Sequence, residues 1–186
     1  MKILETTWKN WFDIKTRGKW IILFFAILVI LLGLGATAVP TNPAEAKAIY
    51  DQLQNEPYTV TAIFGNNFFY CMIVFIPVIG PIFAGLIVFH TGILIANIAS
   101  ATGVNSFRLF TTTLMFPHAW LELFAYSFAM SQSIILTKIF LRSIRRSSYR
   151  KYFQHELVRT CITITVIALL LILAAIIEVV LIALVS

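Results

Sequence analysis

Charge is what this sequence has least of. Only 12% of its 186 residues are Asp, Glu, Lys or Arg, about half of what a soluble domain carries. That shortage, with 60% apolar residues and a mean hydropathy of +0.90, excludes an ordinary water-solvated surface. Two cysteines are too few for a disulfide framework or a paired-cysteine metal motif. Cys71 is expected in the outer part of a second span and Cys161 near the cytoplasmic end of a fifth, depths too different for a disulfide. The chain also has no glycine-rich phosphate loop, no Asn-x-Ser/Thr acceptor, no repeat of 34 or 40 residues and no low-complexity tract.

What is present is long apolar stretches. Residues 20–39 run without a charge, long enough for about 30 Å of hydrocarbon at about 1.5 Å per residue. Trp8, Trp11 and Trp20 stand in front as interfacial anchors. Ala36-Thr37-Ala38 imitates a signal-peptidase site, but the apolar run before it is too long for a signal peptide, so a retained anchor is expected. Further spans are expected over 66–79, 81–100, 109–137 and 160–186, the second and third forming a tight hairpin at Pro77, Gly80 and Pro81. The second is short enough to be partly re-entrant. Gly103 and Asn105 mark a turn before the fourth span, which is expected to kink or break at Pro117. The fold class is therefore all-α: one polytopic transmembrane bundle over 1–186, with about five spans.

The net charge of +6 invites a nucleic-acid reading, but its distribution argues otherwise. Five cations lie in 1–19 and seven in 138–159, leaving only Lys47 and Arg108 elsewhere. Two basic blocks flanking apolar spans follow the positive-inside rule. The expected contact is the anionic lipid surface of the bilayer, with no nucleic acid as partner. Segments 1–19 and 138–159 are then cytoplasmic, and five spans place the C-terminus outside, in a multi-pass protein of the cell membrane. The loop 40–65 is extracytoplasmic. Within it Thr41-Asn42-Pro43 reads as a helix start, and a short helix from 44 to 55, closed by Pro57, lies on the membrane surface or forms a solvated loop.

Ionisable residues inside spans are the informative ones, because each costs a few kcal/mol to insert. They are His90, His118, Glu122 and Glu178, and residue counts put them in one outer layer. Glu122 follows His118 by one helical turn on the same face. One reading is a polar clasp in which Glu122 accepts from His118 or from Asn66 and Asn67, tying spans two, three and four together. Another makes His90, His118 and Glu122 a metal set or a carboxylate–histidine proton relay, and a third is a lipid or ligand pocket. Tyr126, Ser127 and Ser131 continue the fourth span as close-packing positions. No cofactor and no catalytic residue are assigned.

Phe116-Pro117-His118-Ala119-Trp120-Leu121-Glu122 resembles the Pro-His-Gly-x-x-Glu signature of the stage II sporulation protein M family. Phe64-Gly65-Asn66-Asn67 is similar to that family's Phe-x-x-Asn opening of the second span, and Gly92 fits a recurrent glycine in the third. Ala119 stands in place of the signature glycine, Thr91 where Asn often precedes Gly, and Ala96 in place of a second glycine. The resemblance implies a five-span membrane protein and, in spore formers, a scaffold for a complex that remodels the cell wall. Members also occur in organisms that form no spores. The expected function is a membrane scaffold or complex subunit with membrane-protein partners or self-association. The alternative is an intramembrane enzyme or transport component.

Overall fold

A computed structural model describes residues 14–38, 42–55, 58–145 and 150–185. The expected anchors Trp8 and Trp11, most of the first basic block, and Thr41, Pro57, Arg146 and Ser186 lie outside the described residues. Seven helices follow in order among those described: α1 (Ile14–Ala36), α2 (Pro43–Gln54), α3 (Val60–Val74), α4 (Gly80–Thr102), α5 (Ser106–Met115), α6 (Pro117–Arg145) and α7 (Arg150–Val185).

Four of them, α1, α4, α6 and α7, are long and apolar enough to cross a membrane. The expected five spans thus resolve into four full-length ones and the shorter α3. That helix starts at Val60, earlier than the expected 66, and its 15 residues reach only about 22 Å at the helical rise. Thr59 sets the early start by accepting from the Ala62 N–H at 3.2 Å. The last span also begins earlier than expected, at Arg150 instead of 160, so most of the supposed basic loop 138–159 is helix. Lys and Arg are good helix formers, and their charge marks a membrane boundary without ending a helix.

The turns follow local chemistry. The helix α3 ends at Val74, just ahead of Pro77, and Val78 takes the left-handed region at φ 73°. The strained turn is held from outside. Val78 N–H donates to Thr137 Oγ1 at 2.7 Å, and Ser133 Oγ donates to the Ile76 carbonyl at 3.0 Å. Gly103, at φ 69°, closes α4, and Asn105 caps α5 by accepting from the Arg108 N–H. Asn42 caps α2, with Pro43 in its first turn. Rather than lying free on the membrane, α2 packs on α4 and buries Ala46 there.

The expected fourth span is broken. Phe116 is extended at ψ 132°, as the residue before a proline prefers, so 109–137 comprises all but the first turn of α5 and most of α6. The central helix is α6, which touches α1, α3, α4, α5 and α7. It buries Ser127, Ser131, Gln132 and Ser133, and Tyr126 as well. Large apolar side chains such as Ile22, Phe69, Leu86 and Leu169 are instead exposed. A surface of that kind meets lipid tails, while small and polar residues let helices approach within. The helices α1 and α4 approach closely, with Gly35 and Gly92 facing each other backbone to backbone.

Candidate functional site

On α3, Asn67 is half-buried, and its Nδ2 donates to Glu122 Oε1 on α6 at 2.7 Å. That bond joins two of the residues expected to meet. Around it lies a cavity of about 110 Å³ lined by residues of α1, α3, α4, α5 and α6. Its polar lining is Asn67, Thr91, Thr113, Glu122 and Tyr126. On α7 the Glu178 carboxylate is close enough to Glu122 for the two charges to interact.

The other expected members are elsewhere. His90 is exposed on α4. Val88, Thr91 and Ile95 are the α4 residues that line the cavity. Their spacing of three and four defines one helical face, and His90 is about 100° away from Thr91 around the helix. Asn66 is exposed for the same reason, being one residue off the face that carries Asn67. His118 stacks on Phe116, ring centroids 5.8 Å apart, and its Nδ1 is buried without a hydrogen-bond partner among the described residues. The proposed metal set of His90, His118 and Glu122 is therefore not assembled. Among the described residues no group of three or more His, Cys, Asp or Glu is placed to hold a metal. Cys71 is buried and Cys161 exposed, and both are free thiols.

Glu122→Gln is expected to retain the fold, since an amide oxygen still accepts from Asn67. Glu122→Ala and Asn67→Leu each lose one inter-helix bond, worth about 1 kcal/mol in a membrane protein. Thermal unfolding in low-salt detergent should show a lower midpoint for those two variants only. An equal drop for Glu122→Gln counts against the clasp.

A second polar cluster went unnoticed in the sequence. Arg17 on α1 pairs with Glu156 on α7 at 2.6 Å and donates to Gln132 on α6 at 2.9 Å. Gln132 in turn donates to Glu156 and to Thr160, each at 2.9 Å. Glu156 is 1% exposed and takes a second, longer contact from Arg159 at 3.6 Å. Beside this cluster Lys138 Nζ sits 4.8 Å from the centre of the Trp20 ring, a cation–π contact. Two signals pointed here. Glu156 is the one acid in the 138–159 basic block, and Gln132 is a lone amide in an apolar run.

No curated protein and no solved structure gives a significant match to the chain. A family model described as Stage II sporulation protein M matches residues 21–181, which takes in the α3 asparagines, Gly92, the Pro117 break and both polar clusters apart from Arg17. The chain belongs to the stage II sporulation protein M family of membrane proteins.

Proposed function

We propose that this chain is a membrane scaffold, an integral subunit that holds partner membrane proteins, or further copies of itself, in one complex. The supporting observation is where its interior polar groups are spent. Asn67 and Glu122 bond each other, Ser133 and Thr137 secure the α3–α4 turn, and Arg17, Gln132, Glu156 and Thr160 bond across α1, α6 and α7. Groups committed in this way fix the relative placement of helices. The described connections are a few residues long apart from the α2 segment, so the outer faces of the helices are the main surface offered to partners.

The N-terminus is cytoplasmic and the C-terminus extracytoplasmic in this reading. The Arg17–Glu156 pair supports it, because it joins the start of α1 to the start of α7 and so brings the two basic blocks to one end of the bundle. Affinity purification of the tagged chain from its native membranes should recover a defined companion protein or a discrete oligomer at fixed stoichiometry. A single copy without companions by native mass spectrometry contradicts the scaffold. Glu122-dependent transport by the chain alone in proteoliposomes would favour a transport component instead.

A further inference from the structure

The cavity beside Glu122 has an unusual balance of hydrogen-bonding groups. Thr91 Oγ1 donates its proton to the Ile87 carbonyl and Thr113 Oγ1 to the Leu109 carbonyl, each at 3.0 Å. Asn67 spends an amide N–H on Glu122 Oε1. What these side chains have left are mainly oxygen lone pairs: two hydroxyl oxygens, the Asn67 Oδ1 and the second carboxylate oxygen of Glu122. The second Asn67 amide N–H and the Tyr126 hydroxyl are the donors left on the polar lining residues, against four acceptor oxygens. A wall so rich in acceptors suits a ligand that is positively charged.

Size and charge narrow the class. About 110 Å³ is several times the roughly 10–15 Å³ that one water needs. It is below the roughly 300–1,000 Å³ of pockets for organic ligands. Glu122 is the only carboxylate in the lining, and among the described residues neither ion pair involves it. A half-buried carboxylate kept from water requires a compensating partner. Because Glu178 lies near Glu122 but outside the lining, the one carboxylate that faces the cavity balances one positive charge. Hard oxygen donors select hard cations. The break at Phe116 adds to this, because Thr113 lies in the last turn of α5, where the helix end carries partial negative charge. The opposing positive end of α6 fades within its first turn, and Glu122 lies beyond that turn. Discontinuous helices build ion sites in membrane proteins in this way.

We propose that this cavity binds a small monovalent cation of the alkali class, held by the Glu122 carboxylate and the neutral oxygens of Asn67, Thr91 and Thr113. The site ties α3, α4, α5 and α6 to one ion, so occupancy stabilises the bundle as any ligand specific to the folded state does.

The test is thermal unfolding of the purified full chain in detergent, titrated with NaCl, KCl or LiCl against choline chloride at constant ionic strength. A saturable rise in midpoint with at least one alkali cation, absent with choline, is expected. Glu122→Gln should abolish the saturable rise. Thr91→Val, which keeps the shape of an exposed side chain and removes only its oxygen, should raise the half-saturating concentration several-fold. Thr91→Val decides the matter if Glu122→Gln does not fold. Identical curves in the alkali salts and choline would overturn the proposal, as would an unchanged titration in Thr91→Val.

Discussion

Glu156→Ala is expected to cost about 3–5 kcal/mol, the range for breaking a buried ion pair by removing one partner. The carboxylate is 1% exposed and Arg17 only 18%, so solvent screens the pair little. Removing Glu156 takes from the guanidinium its carboxylate partner at 2.6 Å and deprives Gln132 of one acceptor. Glu156 accepts from Arg17 of α1 and from Gln132 of α6, so its loss weakens the joint among α1, α6 and α7 at two points. Arg159 provides the control: it is half exposed and 3.6 Å away, and exposed pairs contribute little, so Arg159→Ala should change the midpoint hardly at all. The double variant Arg17→Met with Glu156→Met should recover much of the loss, since apolar side chains of similar volume remove both charges at once. A Glu156→Ala midpoint no lower than that of Arg159→Ala would show that the cluster does not hold the helices together.

The second large effect concerns the contact between α1 and α4. A Cβ added to Gly92 would lie 2.8 Å from both Gly35 Cα and Ala36 N, and one added to Gly35 would lie 2.9 Å from Gly92 Cα and 3.0 Å from Ile93 N. Those neighbours are backbone, so relief requires the helices to separate. Overpacking of that kind costs about 1–3 kcal/mol, and Gly92→Ala should fall in that range, with Gly92→Val worse. Sign makes this prediction sharp. Gly65 has nothing within 4 Å of an added Cβ, so Gly65→Ala should stabilise α3 by about 0.5–1 kcal/mol. Gly85 meets only the flexible tip of Leu31 at 3.3 Å, and Gly85→Ala should lie between the two. Thermal midpoints ranked Gly65→Ala, Gly85→Ala, Gly92→Ala from high to low are expected. A Gly92→Ala protein as stable as Gly65→Ala would mean that the two helices are not in backbone contact.

Much of this protein was settled by its residues taken one segment at a time. Membrane embedding followed from uncharged runs, because insertion depends on local hydrophobicity. The Asn42 cap, the Gly103–Asn105 turn and the break at Pro117 followed from backbone chemistry that acts within four residues. Even the inward placement of Glu122 could be argued from the cost of exposing it to lipid, and Asn67 was among the partners that its depth allowed. Helix length was less legible. α3 and α7 both start earlier than hydropathy suggested, since a cap or a basic turn extends a helix without adding apolar residues.

What tertiary structure alone decided is which way each side chain points and what it meets. Depth in a span comes from counting residues, whereas facing depends on packing between helices that are apolar all round. His90 and Thr91 are neighbours in sequence at nearly the same depth, yet only Thr91 lines the cavity. Asn66 and Asn67 separate in the same way, and only Asn67 reaches Glu122. The Arg17–Gln132–Glu156 cluster is the strongest case, with partners 115 and 139 residues apart. Each block of charge was legible as a membrane boundary, but the choice of one acid as the joint between helices was not. That choice exists only once α1, α6 and α7 are side by side, where a buried carboxylate must find its cation or be expelled.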